Sequence, residues 1–117
     1  MKLLMEITRS PETWGQLMKL AGEIDLHSSP QLRRELQACA AEKSPALLVD
    51  FSAVEYIDSS GLATLIEYVR DTATNNGKIA LFGLSSKVRT IFDLVRLNEL
   101  FVISETPEEA LAALKIQ

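Results

Sequence analysis

Two neighbouring serines, Ser59 and Ser60, stand where the sequence could carry covalent chemistry. Asp58, directly before them, is a strong N-cap residue, and the residues that follow have the spacing of an amphipathic helix. Both hydroxyls are therefore expected in the first helical turn, where free backbone N–H groups and the helix dipole stabilise an anion. A phosphate on Ser59 would add about −1.5 to −2 charges beside Asp58, enough to repel an apolar or acidic partner surface.

The same residues allow other interpretations. Asp58, Ser59 and Ser60 can be an ordinary helix cap with no further function, and their spacing alone favours that interpretation. A hydrolase could use Ser59, His27 and Asp25 as nucleophile, base and orienting acid, but the G-x-S-x-G elbow is absent because Ile57 replaces its first glycine. One histidine and one cysteine, Cys39, lack metal-ligand spacing, and Cys39 is expected to be a buried apolar residue. Neither catalysis nor a metal site is predicted.

The elements that must position Ser59 are predicted from apolar periodicity and capping residues. An amino-terminal hairpin is followed by helix, strand, helix, strand, helix, strand and helix. The strands are expected at residues 3–8, 16–22, 46–51, 79–82 and 100–103, with a turn at residues 10–13 and Trp14 packing over the sheet edge. Helices are expected to begin at Ser28-Ser29-Pro30, Asp58, Ser85 and Thr106-Pro107; the second ends at residues 75–77, and the third carries Val88, Ile91, Phe92 and Val95.

This order predicts the α/β class, with a mixed central sheet made of the hairpin and parallel βαβ crossovers, and helices packed on it. We expect one domain over residues 1–117, since the length is that of one ordinary domain. Functional loops in such sheets follow the carboxyl ends of strands, which points to residues 23–29 and 52–61.

Composition excludes several classes of protein. The net charge is −4 and the basic residues are scattered, so direct nucleic-acid binding is not expected. The longest apolar run has five residues, against about 20 for a membrane span. Glu6 interrupts the amino-terminal apolar segment before it reaches signal-peptide length, and a lone cysteine fits a reducing compartment. A cytoplasmic location is expected.

Four segments together resemble the STAS domains of bacterial anti-sigma factor antagonists. They are residues 22–25 (GEID), 48–52 (LVDFS), 58–62 (DSSGL) and 85–92 (SSKVRTIF). The order of elements also matches, so the resemblance spans nearly the whole chain and implies a STAS-like single domain.

The resemblance implies a phosphorylation switch at Ser59. In that family, the serine after the aspartate is phosphorylated by a partner that is both anti-sigma factor and serine kinase, and a serine phosphatase reverses the modification. Residue matching places Asp25 and Asp58 beside the phosphorylation site, with Ser60 as the weaker acceptor. Gly61 belongs to the same motif, and Thr64 and Glu67 are expected on the exposed side of the helix as partner contacts.

No cofactor is expected in this chain, because ATP and magnesium would be held by the kinase partner. The sequence contains neither a GxxxxGK[ST] loop nor a GxGxxG motif. Whether the chain forms a homo-oligomer stays open. The alternative function is a non-switching STAS accessory subunit of a lipid-transport ABC system, or a scaffold of a signalling assembly.

Overall fold

The sheet has the same strand order in space as along the chain. Residues 5–114 are described by the computed structural model, and in this range five strands form one sheet in the order β1-β2-β3-β4-β5. The strands are β1 Met5–Glu12, β2 Gly15–Ile24, β3 Ala46–Ile57, β4 Lys78–Phe82 and β5 Val102–Ser104. β1 pairs with β2 antiparallel and each later pair is parallel. The predicted mixed sheet is confirmed.

The helices cover both faces of this sheet unequally. They are α1 Ser29–Ala41, α2 Ser59–Thr72, α3 Ser86–Leu94 and α4 Pro107–Leu114. Because α1, α2 and α3 connect consecutive parallel strands, right-handed crossovers place all three on one face. Their apolar residues join Leu47, Val49 and Phe51 of β3 in the larger core. Three aromatic rings meet edge to face there, with Phe92 centred 6.0 Å from Phe51 and 6.1 Å from Phe101.

The opposite face carries a smaller core under α4. Ala110 and Leu114 of that helix pack against Leu48 and Phe82 of the sheet, and the partly buried Trp14 packs against the same cluster. The expected role of Trp14 as a residue packed on the sheet is confirmed.

The hairpin is longer than the sequence predicted. β1 continues through Pro11, and the turn lies at residues 13–14 rather than 10–13. Pro11 is tolerated because β1 is an edge strand, where a missing backbone N–H costs no central hydrogen bond. The part of the prediction at residues 3–4 lies outside the described residues.

The prediction of a loop at residues 52–61 is wrong, because β3 continues to Ile57. Beyond Phe51 it remains paired with β2, and Ile57 lies opposite Ile24. Two register shifts in this pairing break the alternation of apolar and polar residues, which hid the strand. β2 likewise extends to Ile24, so the expected loop from residue 23 to 29 is shorter.

Several ends of elements also differ from the predictions. α2 ends at Thr72, and a short 3-10 turn leads to Asn76, which has a left-handed φ of 55°. Val95 lies beyond the last residue of α3 and is 53% exposed, so it does not belong to the apolar face. β5 begins at Val102 instead of residue 100, since residues 97–99 form another 3-10 turn.

Cys39 lies in the core, as its position on the apolar face of the first helix predicts. The side chain is fully buried, and Arg9 of β1 donates a hydrogen bond to its Sγ at 3.3 Å. Burial raises the pKa of the Cys39 thiol, although the neighbouring guanidinium acts in the opposite direction.

Candidate functional site

Asp58 is the single residue between the end of β3 and the start of α2. Its backbone is extended, and its Oδ1 accepts hydrogen bonds from the Ser60 N–H at 2.9 Å and the Gly61 N–H at 3.3 Å. The Ser60 hydroxyl donates to the same oxygen at 2.6 Å. The predicted N-cap is therefore confirmed. Because the Asp58 carboxylate accepts hydrogen bonds from these two N–H groups, they are not free to bind another anion at the start of the helix.

Asp58 also ties the site to the neighbouring β2–α1 loop. Its backbone N–H donates to the Ile24 carbonyl at 3.0 Å. Partial desolvation acts to raise the pKa of Asp58, but the hydrogen bonds from Ser60, Gly61 and Leu26 outweigh it and hold the pKa below its ordinary value. The backbone of Asp58 thus connects the start of α2 with the end of β2, where the loop of Asp25 begins.

Asp25 organises that loop. Its Oδ1 accepts hydrogen bonds from the N–H groups of His27 at 2.9 Å and Ser28 at 3.1 Å, and its carbonyl accepts from the Ser29 N–H at 2.8 Å. Ser28 precedes α1, where a serine commonly caps the helix with its hydroxyl, but the Ser28 side chain makes no such bond. The buried Ser28 hydroxyl instead donates to the Glu23 carbonyl at 2.7 Å and accepts from the Asp25 N–H at 2.9 Å, because the chain turns back over it.

The two serines of the motif have different surroundings. Ser60 is half-buried and its hydroxyl is bonded to Asp58. Ser59 is exposed in the first turn of α2, and among residues 5–114 its side chain has no hydrogen-bond partner. Of the two hydroxyls, that of Ser59 is the one an approaching enzyme can reach without breaking a bond.

Gly61 has a packing role that its place in the motif did not reveal. A Cβ at this position would come within 2.5 Å of Ile24 Cγ2 and 2.8 Å of Ile57 Cγ1. The residue is buried, so it offers no side chain to a partner. It lets α2 start directly against the ends of β2 and β3, which fixes the position of Ser59.

The expectation that Thr64 and Glu67 lie on the exposed side of α2 is wrong for Thr64. That residue is 1% exposed, and its hydroxyl donates to the Ser60 carbonyl at 2.9 Å. Arg33 of α1 donates to Thr64 Oγ1 at 3.3 Å and forms an ion pair with the partly exposed Glu67 at 3.0 Å. Both residues therefore join α1 to α2, since α1 covers this side of the helix.

Two further residues at this end of the sheet were missed by the sequence reasoning. Leu26 follows Asp25 in the loop and is 71% exposed. Tyr56 lies two residues before Asp58 and is 37% exposed, with Lys87 Nζ 5.7 Å from the centre of its ring. An apolar residue in a turn of polar residues was the available signal for Leu26.

The structure does not assemble the Ser59, His27 and Asp25 arrangement of a hydrolase. His27 is bonded to Asp25 through its backbone N–H, and in the described part of the chain its side chain makes no hydrogen bond with Ser59. No cluster of three or more metal-binding side chains occurs among residues 5–114. No helix in that range has the length and apolar character needed to cross a membrane.

Comparison with known proteins identifies the family. The STAS domain family matches residues 5–110. The anti-sigma-B factor antagonist of Bacillus subtilis is 32% identical over 91 residues, which are 78% of this chain and 83% of that protein. The crystal structure of an anti-sigma factor antagonist from Mycobacterium paratuberculosis has a TM-score of 0.88 at 26% identity and covers 96% of this chain and 95% of its own.

A third similar structure is the Bacillus cell fate determinant SpoIIAA in its phosphorylated form. It has a TM-score of 0.72 at 21% identity and covers 94% of this chain and 100% of its own. This likeness concerns the fold. With the match over residues 5–110 and the similarity to the Bacillus subtilis protein, the chain belongs to the STAS domain family and, within it, to the anti-sigma factor antagonists.

Proposed function

We propose that the unphosphorylated chain binds an anti-sigma factor that is also a serine kinase, that a sigma factor is thereby released, and that phosphorylation of Ser59 ends the binding. The observation that carries this proposal is the unpartnered, exposed hydroxyl of Ser59 beside a Ser60 hydroxyl held by Asp58. The names of the relatives support the anti-sigma factor as partner.

Phosphoryl transfer would use groups that the partner supplies. The Ser59 oxygen attacks the γ-phosphorus of ATP, the bond from that phosphorus to ADP breaks, and the hydroxyl proton passes to a base of the kinase. ATP and magnesium belong to the kinase. In this chain Asp58 and Gly61 hold the helix end in place, and a separate serine phosphatase would hydrolyse the phosphoserine.

The phosphate would change the surface rather than the fold. Asp58 already accepts the first N–H groups of α2, so a phosphate on Ser59 has no free helix N–H at those positions to neutralise it. Its charge would stay exposed beside the ionised Asp58. A hundredfold loss of affinity corresponds to about 2.7 kcal/mol, which a few desolvated charge contacts can supply.

The first experiment is affinity capture from a lysate of the source organism with Ser59→Ala and Ser59→Asp baits. We expect a histidine-kinase-like ATPase on the alanine bait and its loss from the aspartate bait. A Ser60→Ala bait is the matched control, and it should behave as the unmodified chain because Ser60 is not the acceptor.

Phosphoserine placed at position 59 during synthesis then tests the switch without relying on aspartate as a mimic. Equal binding of the kinase to the phosphorylated and unphosphorylated chains would contradict the switch. Equal recovery of transporter subunits on both baits would contradict the whole proposal and favour an accessory subunit.

A further inference from the structure

Exposed apolar side chains gather at one edge of the molecule. Among residues 5–114, six large apolar or aromatic residues are exposed, and four of them lie within residues 94–102. These four are Leu94 (78% exposed), Val95 (53%), Leu100 (46%) and Val102 (41%), and we call them the edge patch. Single exposed apolar residues are common, but several side by side are typical of a surface that another molecule covers.

The edge patch lies along an outer side of the sheet. Its first two residues are at the end of α3, its third follows the 3-10 turn at residues 97–99, and Val102 begins β5. β5 is the last strand in the sheet, so its outer side pairs with no other strand in the described range. Phe101, within the same segment, is 4% exposed and belongs to the larger core. The segment is therefore held against the domain while its apolar patch faces outward.

Two charged residues lie among those of the edge patch. Arg96 and Glu99 are exposed, and neither forms an ion pair with a residue in the range 5–114. The nearby Arg89 and Asp93, by contrast, pair with each other at 3.3 Å. Residues 94–102 thus carry one positive and one negative charge, whereas the whole chain has a net charge of −4. A second copy meets little repulsion at this segment, and a two-fold axis can place each Arg96 opposite the other copy's Glu99.

Arg96 has a backbone conformation that glycine usually adopts. It follows Val95, the C-cap of α3, with a φ of 63° and a ψ of 24°, and its N–H donates to the Asp93 carbonyl at 3.1 Å. The left-handed position after a helix is most often glycine, because any other side chain is strained there. The turn by itself does not call for an arginine, so a use for its charge at this place explains the residue better.

We propose that two copies of this chain associate through the edge patch, about a two-fold axis that pairs Arg96 of each copy with Glu99 of the other. Burial of the apolar side chains supplies the free energy, and the two ion pairs set the orientation. A segment of this size covers less area than a standard protein interface, so the dimer should separate readily. Ser59 follows the carboxyl end of β3, in the middle of the sheet, and stays exposed in both copies. The proposal is therefore independent of the proposed function.

Sedimentation of the purified chain tests the association directly. Over a concentration range from about 1 µM to about 1 mM, the wild type should change from monomer to dimer. A wild-type chain that stays monomeric over the whole range would overturn the proposal, and the edge patch would then belong to a contact with a different protein.

Leu100→Ser tests whether the edge patch is the contact. It should weaken the association about tenfold or more, because it removes an apolar side chain from the interface. Leu26→Ser is the matched control, since Leu26 is 71% exposed but lies between β2 and α1, and its association should stay within about twofold of wild type. At concentrations where the wild type is monomeric, both variants should melt at the wild-type temperature. Unchanged association in Leu100→Ser, or an equal loss in Leu26→Ser, would place the contact elsewhere.

An exchange of charges tests the two-fold arrangement. Arg96→Glu and Glu99→Arg each bring like charges together and should weaken the association about tenfold. The double variant restores opposite charges and should recover it to within about threefold of wild type. Arg96→Gly removes the charge and also the backbone strain, so it should associate more weakly while melting at or above the wild-type temperature. No recovery in the double variant, or wild-type association in Arg96→Gly, would refute the pairing of Arg96 with Glu99.

Discussion

At the scale of single residues, Asp58 links the chemistry of the site to its structure. One carboxylate receives hydrogen bonds from the Ser60 hydroxyl and from the N–H groups of Ser60 and Gly61 in the first turn of α2. The same bonds leave the neighbouring Ser59 hydroxyl without a partner among residues 5–114. Asp58 therefore determines which of the two adjacent serines has a free hydroxyl.

The bonds to Asp58 predict a dependence of stability on pH. Because the folded pKa of Asp58 lies below its ordinary value of 3.8, its charge adds stability above that pH, and this contribution is lost as the pH falls through the folded pKa. Asp58→Asn keeps a capping side chain without the charge. Urea unfolding should show wild type more stable than Asp58→Asn at about pH 7, with a smaller gap at about pH 3. A gap that does not change with pH would contradict this assignment.

The hydroxyl of Tyr68 is predicted to add nothing to the free energy of unfolding. The group is buried and has no hydrogen-bond partner in the described part of the chain, and burial raises the pKa of Tyr68 to about 12. Tyr68→Phe should therefore leave the free energy of unfolding unchanged or raise it by up to about 1 kcal/mol. Tyr56→Phe, with its partly exposed ring, is the control and should be neutral. A loss of more than about 1 kcal/mol in Tyr68→Phe would reveal a hydrogen bond to that hydroxyl.

At the scale of elements, the site depends on how closely α2 starts against two strands. β2 and β3 end together at Ile24 and Ile57, and α2 begins one residue after β3. Gly61 sits against the two isoleucine side chains, so no residue with a Cβ fits here unless α2 or an isoleucine moves. The position of Ser59 therefore follows from packing beneath it.

Gly61→Ala tests this contact. Alanine would favour the helix by up to about 1 kcal/mol, but its Cβ would lie 2.5 Å from Ile24 Cγ2. Overpacking of a core costs about 1–3 kcal/mol, so we expect net destabilisation in denaturant unfolding. Ser59→Ala, on the exposed side of the same turn, is the control with an effect of less than about 0.5 kcal/mol. A more stable Gly61→Ala variant would show that α2 is free to move.

The sequence predicts α2 well because its signals are local. Asp58 is a cap by residue type, and Leu62 and Leu65 recur at helical spacing and are buried. The burial of Thr64 has no such signal, since it results from α1 lying across that side of α2. The extension of β3 to Ile57 also depends on a neighbouring element. Its pairing with β2 contains register shifts, so the apolar residues of this segment do not alternate with polar ones as in a regular strand.

At the scale of the whole molecule, the larger apolar core lies on the face opposite α4. The larger core joins three helices to the sheet, and its centre is the ring of Phe92 between Phe51 and Phe101. The smaller core has one helix of eight residues. Damage to the larger core should therefore affect folding of the domain as a unit.

Phe92→Ala is predicted to be the most destabilising of these substitutions. A buried phenylalanine replaced by alanine costs about 3–5 kcal/mol, a large share of the roughly 5–15 kcal/mol that stabilise a domain. Denaturant unfolding should show this loss with coincident transitions in circular dichroism and Trp14 fluorescence. The control is Leu94→Ala, which alters an exposed side chain on the same helix. If Trp14 unfolded separately from the circular dichroism signal, the two cores would be independent.

The agreement between strand order in space and strand order in the chain has a consequence for biosynthesis. Each strand pairs with the strand made immediately before it, and β1 and β5 lie at opposite edges. No strand in the described range has to wait for a distant later segment before it finds its neighbour. The sheet can therefore grow one strand at a time as the chain leaves the ribosome, with the amino-terminal hairpin as its first template.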